Sequence, residues 1–131
     1  MSSAINFTNV FLIGLGAAIG GWCRWGLGLA LNTMLPNLPA GTLVANLSGG
    51  LMMGMVLAYI GLGNLESQSL RFFITTGFLG GLTTFSTFSG ESLTLLQKHA
   101  YGWAALHASS HVFGALLMAG VGFALVQYLR S

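Results

Sequence analysis

Four long apolar stretches fill most of this 131-residue chain, at positions 10–31, 42–62, 70–96 and 103–129. A helix needs about 20 mainly apolar residues to cross a hydrocarbon core of about 30 Å, and each stretch reaches that length. Backbone polar groups in lipid must be satisfied within the segment, which favours helices over open strands. The sequence therefore predicts an all-α integral membrane protein with four transmembrane helices, forming one domain over 1–131.

The charged residues are too few for a water-soluble protein. Only 5% of the chain is charged, as two acids and four bases, against 54% hydrophobic residues, whereas soluble domains carry about 25% charged residues. The bases form no clustered stripe for a nucleic acid, and no Gly-x-x-x-x-Gly-Lys loop for a nucleotide occurs. We therefore expect the lipid bilayer to cover most of the surface, with neither nucleic acid nor nucleotide as a partner.

The distribution of positive charges favours neither orientation of the chain in the membrane. With four spans, Arg71 and Arg130 lie on one side of the membrane, and Arg24 and Lys98 lie on the other. An excess of Lys and Arg on one side normally sets the direction of insertion. Although four charges are a small sample, the even balance favours insertion in both orientations and assembly into antiparallel dimers.

Small residues recur four positions apart inside the spans. The pairs are Gly16 with Gly20, Gly50 with Gly54, Gly77 with Gly81, and Ala115 with Ala119. In lipid this spacing lets two helix backbones approach closely. We therefore interpret these residues as packing faces.

The third stretch carries a segment that is a poor continuous helix. Paired glycines are followed by a run of Thr, Ser and Phe, and these residues have low helix propensity. The pattern predicts a break between Gly80 and Thr84. Backbone groups freed at membrane depth must be satisfied by protein or must line a water-filled cavity. Two readings remain open: freed carbonyls that bind a small cation such as Na⁺, or a kink satisfied by its own hydroxyl groups.

Two aromatic residues follow the predicted break. Phe85 and Phe88 are three positions apart and so share a helix face. Their role is either apolar packing or, because ring edges are electropositive, stabilisation of a small anion. Ser86 and Thr87 between them add hydroxyl donors. The amide of Asn46, in the second stretch, either donates to such an anion or bonds a neighbouring helix.

Arg24 and Glu91 are ionisable residues close to the ends of their stretches. Arg24 lies between two tryptophans, as interfacial anchors do, and its charge could also attract anions to a vestibule. Glu91 is an interface residue, a partner for a base, or a vestibule gate. In the fourth stretch His107, Ser110 and His111 fall on one stripe. Without an HExxH pattern, a polar packing seam is favoured over a metal site there.

Together these residues resemble the Fluc or CrcB family of microbial fluoride channels. The resemblance covers essentially the whole chain, through Trp-Cys-Arg-Trp, Gly-Thr-Leu-Val-Ala-Asn and above all Gly-Gly-Leu-Thr-Thr-Phe-Ser-Thr-Phe. It implies a multi-pass protein of the cell inner membrane that exports cytoplasmic fluoride passively. It further implies a dual-topology antiparallel homodimer with two separate fluoride pathways.

The resemblance also implies roles for individual residues. A structural Na⁺ at the dimer centre would be held by the backbone carbonyls of Gly80 and Thr83. Arg24 and Glu91 would lie in the vestibules. The fluoride pathway would contain Asn46, Phe85, Ser86, Thr87, Phe88 and Ser110. In the fourth stretch, Ser110 is preferred to the two histidines as the residue that contacts the ion.

Other functional classes fit the residues less well. A small multidrug exporter, the nearest alternative, needs a membrane-embedded carboxylate in its first helix, and the first stretch has Arg24 but no acid. A metal-dependent enzyme built on Glu91, His107 and His111 would lack a convincing ligand set or nucleophile, so no enzyme is expected. A passive pore suffices for export, because a negative interior drives anions outward by about 2.3 kcal/mol per charge per 100 mV.

Overall fold

The computed structural model describes residues 3–131, and within that range the chain forms helices and turns without any strand. In chain order the elements are α1 (Phe7–Leu31), α2 (Ala40–Gly61), α3 (Gln68–Phe72), a π-helical segment (Phe73–Leu79), α4 (Gly80–Leu82), α5 (Phe85–Gln97) and α6 (Tyr101–Arg130). Among them α1, α2 and α6 are long and apolar enough to cross a membrane. The predicted all-helical membrane protein is thus confirmed.

Three of the predicted stretches correspond to single long helices, and the third predicted stretch is interrupted, as its residues indicated. Helices α1, α2 and α6 begin and end within three residues of 10–31, 42–62 and 103–129. The stretch 70–96 is not one helix but a series of shorter pieces. Its first part also contains a π-helical turn, in which the N–H of Gly80 reaches the carbonyl of Thr75. Nothing in the residue pattern predicted that turn.

The predicted break is confirmed at Thr83 and Thr84. Thr83 has ψ 154° and Thr84 has φ −150° and ψ 122°, so both residues are extended between α4 and α5. Hydroxyl groups shape both sides of the break. The Thr83 hydroxyl donates to the carbonyl of Leu79 at 2.8 Å, and the Thr84 hydroxyl accepts from the N–H of Thr87 at 3.1 Å. Thr84 is therefore the N-cap of α5.

The small residues on α1 lie against the first part of the broken segment, as the four-residue spacing predicted. A Cβ atom added at Gly16 would come 2.6 Å from the carbonyl oxygen of Phe73, and one added at Gly77 would come 2.8 Å from that of Ile13. Gly20 and Gly81 make equivalent backbone approaches across the same contact. Only glycine leaves room for helix backbones at this separation.

The same arrangement joins α2 to α6. A Cβ atom added at Gly50 would come 2.6 Å from the carbonyl oxygen of Ala115, and one added at Gly54 would overlap that of Ala119. These two close helix contacts bring the middle of α2 beside the break. The buried apolar core lies at that point and consists of Ala45, Leu79 and Leu82.

Candidate functional site

Asn46, on α2, holds the break in place. Its Oδ1 accepts from the N–H of Thr84 at 2.8 Å, and its Nδ2 donates to the carbonyl of Thr84 at 3.1 Å. Leaving a buried backbone donor or acceptor unpaired costs about 1–3 kcal/mol. The sequence left two roles open for Asn46, a donor to an anion or a contact with a neighbouring helix. The structure shows the second: the Asn46 amide bonds to the interrupted third segment.

The same amide reaches a histidine on α6. Asn46 Nδ2 lies 2.9 Å from Nδ1 of His111. The His111 side chain is buried, with 5% exposure. Its other ring nitrogen, Nε2, is the one buried side-chain nitrogen or oxygen that lacks a hydrogen-bond partner among residues 3–131.

A chain of polar contacts runs from α2 through α5 to α6. The Thr42 hydroxyl donates to Oε1 of Glu91 at 2.6 Å. Oε2 of Glu91 lies 2.9 Å from Nε2 of His107. Nδ1 of His107, which is fully buried, lies 3.0 Å from the Ser92 hydroxyl. Both oxygens of Glu91 are thus hydrogen-bonded. Its contact with His107 corresponds to one of the roles considered for Glu91, that of a partner for a base.

The ring of Phe88 packs against both histidines. It stacks on His107, with ring centroids 5.1 Å apart and an interplanar angle of 8°. It lies 4.9 Å from His111 at 50°, and 5.5 Å from the ring of Phe85 at 43°. Phe88 is half-buried, while Phe85 is 77% exposed. The two phenylalanines do share one face, as their spacing predicted.

A cavity of about 290 Å³ opens beside the break. Its lining residues are Asn46, Thr83, Thr84, Phe85, Phe88, His111, Val112 and Ala115. The lining combines aromatic rings, small apolar side chains and a few hydrogen-bonding groups, with no charged side chain. Such a surface suits a small ion that sheds part of its water, because a few convergent polar groups set selectivity in an otherwise apolar site.

A second cavity, of about 310 Å³, lies on the α1 side of the segment. Arg24, Thr42 and Thr87 are among the residues that line it. Nε of Arg24 donates to the carbonyl of Gly81 at 3.1 Å. Arg24 therefore binds the broken segment itself, a contact that its place between two tryptophans did not reveal.

Backbone carbonyls just before the break lose their helical partners. In a continuous helix the N–H of Thr84 would bond to the carbonyl of Gly80, and the N–H of Thr87 to that of Thr83. Here the first donates to Asn46 and the second to the Thr84 hydroxyl. The break thus frees the carbonyl oxygens of Gly80 and Thr83 among others, while the carbonyl of Gly81 accepts from Arg24 instead.

Some of the predicted site residues line the first cavity, and others lie outside its lining. Asn46, Thr83, Phe85 and Phe88 line the first cavity. The Ser86 hydroxyl lies 3.3 Å from that of Thr84. Ser110 is not among the lining residues of this cavity, and its hydroxyl donates to the carbonyl of Leu106 on its own helix at 2.7 Å. Its role as an ion contact stays a prediction.

The structure places His111 in the cavity and Thr42 in the polar chain, and neither was among the predicted site residues. His107 and His111 are four residues apart, so the sequence did place them on one helix face. The polar seam predicted for that face is present. What the spacing could not show is that the face turns toward Asn46 and the break.

Comparison with known proteins identifies the family. Residues 11–123 match the family model described as CrcB-like protein, Camphor Resistance (CrcB). The chain is 54% identical to the fluoride-specific ion channel FluC of Aromatoleum aromaticum over the full length of both chains. It is 47% identical to that of Nitrosospira multiformis, covering 91% of this chain and 93% of the relative. For that of Pseudomonas putida the identity is 45%, covering 94% and 97%. The resemblance drawn from the sequence is confirmed, and the chain belongs to the CrcB family.

Proposed function

We propose that this protein is a passive, fluoride-selective ion channel that exports cytoplasmic fluoride across the cell inner membrane. The single observation that carries the proposal is the cavity at the break, where aromatic rings and hydrogen-bond donors meet without any charged side chain. Relatives of the same length carry the name fluoride-specific ion channel FluC. Catalysis plays no part in this function.

The fluoride pathway runs past the edges of Phe85 and Phe88. Ring edges are electropositive, so they stabilise an anion without binding it so tightly that it cannot leave, which conduction requires. Asn46 lines the cavity beside these rings, with its amide N–H groups bonded to Thr84 and His111. The hydroxyls of Ser86 and Thr87 add polar groups close to the break, that of Thr87 on the side of the second cavity. Ser110 stays a predicted member of the pathway. Its hydroxyl donates to the carbonyl of Leu106 on the same helix.

Arg24 and Glu91 belong to the two vestibules. Arg24 lines the second cavity, where its charge attracts anions from water. Glu91 borders a third cavity of about 160 Å³, which Lys98 also lines. The bonds from Thr42 and His107 occupy the two oxygens of Glu91 and reduce the repulsion that a bare carboxylate would exert on an anion.

A structural Na⁺ fits the carbonyls of Gly80 and Thr83. Carbonyl oxygens are hard ligands of the kind that small cations take, and the break removes the amides that these two would otherwise accept. Gly80 is exposed and Thr83 is partly exposed on the single chain, so a second subunit could contribute the same pair. The ion would supply a fixed positive charge that ties two broken segments together.

The functional unit is an antiparallel homodimer of dual topology, built from two copies of one four-span domain over 1–131, with one pore per subunit. The even distribution of Arg24, Lys98, Arg71 and Arg130 supports both insertions. Part of α1 is also open to a partner: a Cβ atom added at Gly14, Gly21 or Gly26 would meet nothing within 4 Å. Small residues of this kind allow close helix approach.

The alternative of a small multidrug exporter is less well supported. Proton-coupled export requires a carboxylate buried in the first helix, and α1 contains none. Glu91, the one acid near the cavities, is instead bonded to Thr42 and His107 on both oxygens.

Efflux from liposomes tests the function. Purified protein is reconstituted in vesicles loaded with potassium fluoride or potassium chloride, and release is started with valinomycin and followed with the matching ion electrode. We expect rapid release of fluoride and retention of chloride. Equal release of the two anions, or proton-driven uptake of a cationic dye, would refute the proposal.

A further inference from the structure

His111 carries a buried ring nitrogen that the fold leaves without a partner. Nε2 of this residue has no hydrogen-bond partner within residues 3–131, although the side chain is only 5% exposed. Buried polar groups are rarely left unpaired, and each exception calls for an explanation. Since His111 also lines the cavity beside Phe85 and Phe88, the explanation concerns what enters that cavity.

The hydrogen bonds around Asn46 determine which nitrogen of His111 carries the proton. The N–H of Thr84 requires an oxygen and the carbonyl of Thr84 requires a nitrogen, so the Asn46 amide can face Thr84 in one orientation only. Nδ2 of Asn46 therefore points at Nδ1 of His111, 2.9 Å away. An amide NH₂ group donates and does not accept. Nδ1 must accept that bond through its lone pair.

The proton of the neutral His111 ring then resides on Nε2. In a neutral imidazole one nitrogen is the donor and the other is the acceptor. With Nδ1 accepting from Asn46, Nε2 becomes a buried N–H donor that lacks an acceptor in the described chain. The missing partner of Nε2–H must therefore be a hydrogen-bond acceptor. An anion can act as one, and a cation cannot.

We propose that the Nε2–H of His111 is a direct hydrogen-bond donor to fluoride as the ion passes Phe88. The inference rests on the proposed function and deepens it by naming a contact on α6. Fluoride is the strongest hydrogen-bond acceptor among the halides and the smallest, so it gains most from a single buried donor. Asn46 acts here as a positioning residue, because it holds the ring in the tautomer that donates.

The nearby carboxylate raises the alternative of a metal site. One ligand atom each from Glu91, His107 and His111 lies within 4.8 Å of the others, and imidazole with carboxylate suits zinc. A metal on Nε2 of His111 would require the proton to move to Nδ1, where it would face the NH₂ group of Asn46. A metal on Nδ1 would have to displace Asn46. The direction of the hydrogen bonds therefore favours the anion.

A pair of variants tests the contact by function. Glutamine at position 111 places an amide N–H near the position of Nε2, whereas asparagine reaches only as far as Nδ1. We expect His111→Gln to retain fluoride efflux within a few-fold and His111→Asn to lower it about tenfold or more. If the wild-type protein conducts and the two variants conduct equally, the donor role is refuted. If the wild-type protein does not conduct, the channel function itself fails.

Solid-state ¹⁵N NMR of the wild-type protein in bilayers tests the tautomer without any variant of His111. The chain has three histidines, and substitution of His99 and His107 in turn assigns the third. We expect a protonated Nε2 and a bare Nδ1, and a shift of the Nε2 resonance when sodium fluoride replaces sodium chloride. An unprotonated Nε2, or an Nε2 chemical shift that fluoride does not change, would overturn the proposal. So would block of efflux by micromolar Zn²⁺ that His111→Asn relieves.

Discussion

Asn46 forms two hydrogen bonds with the backbone of Thr84, although 38 residues separate them along the chain. One side chain thus replaces the helical acceptor of the Thr84 N–H and adds a donor to the Thr84 carbonyl. The same amide orients His111 on a third helix. The interruption of the third segment is therefore held by tertiary contact, and three helices meet at one amide group.

Replacement of Asn46 should destabilise the fold. Asn46→Leu leaves the N–H of Thr84 without an acceptor and removes a donor to its carbonyl, and an unpaired buried group costs about 1–3 kcal/mol. We expect a lower melting temperature in detergent, measured by the loss of monodisperse protein on heating. Ser48→Ala, on the same helix, is the matched control, because the Ser48 hydroxyl bonds only to the carbonyl of Ala45 within α2. Equal stability of the two variants would show that Asn46 does not hold the break.

Replacement of Phe85 or Phe88, which line the first cavity, should slow fluoride efflux. Phe85→Ile and Phe88→Ile keep an apolar side chain but remove the electropositive ring edge. We expect efflux from liposomes to fall at least tenfold, which corresponds to about 1.4 kcal/mol in the barrier. Phe113→Ile serves as the control, since Phe113 is 69% exposed on α6 and does not line the first cavity. Unchanged efflux in both cavity variants would contradict the proposed pathway.

The contact between Thr42 and Glu91 should matter for conduction. Thr42→Val removes the hydroxyl that donates to Oε1 of Glu91 at 2.6 Å, a charge-assisted bond worth about 1.5–3 kcal/mol. We expect slower fluoride efflux, because the freed carboxylate oxygen repels the anion. Thr42→Ser keeps the hydroxyl and should conduct like the wild-type protein. Identical efflux from the valine and serine variants would exclude this role.

Removal of Na⁺ should impair the channel. If the carbonyls of Gly80 and Thr83 hold Na⁺ between two subunits, prolonged exchange into N-methylglucamine should lower fluoride efflux. Re-addition of Na⁺ should restore it, and re-addition of K⁺ at equal ionic strength should not, because the larger ion fits the same carbonyls less well. Efflux that is indifferent to Na⁺ throughout would argue against the site.

A methyl group at the α2–α6 contact should separate the helices. The added Cβ of Gly122→Ala would overlap the carbonyl of Leu51, whereas that of Gly120→Ala, two residues earlier, meets nothing within 4 Å. Overpacking of this kind costs about 1–3 kcal/mol. We expect a lower melting temperature for the first variant only. A loss of stability in Gly120→Ala alone would instead locate a subunit contact on that face.

Much of this architecture follows from local properties of the sequence. The length of the apolar stretches predicted the ends of α1, α2 and α6 within three residues. The low helix propensity after Gly80 predicted a break, and the four-residue spacing of small residues predicted which faces pack closely. Each of these signals depends on neighbours within one or two helical turns, so the linear order of residues is enough to reveal it.

The contacts at the candidate site could not be predicted from such local signals. Ser110 and His111 are adjacent in the chain, yet His111 turns toward Asn46 while Ser110 bonds to its own helix. The rotation of α6 about its axis decides between them, and that rotation is set by where Gly50 and Gly54 let the backbones meet. The sequence by itself determined the membrane spans, the break and the packing faces. Only the tertiary structure decided which polar atoms face one another, because those atoms belong to residues 38–65 positions apart.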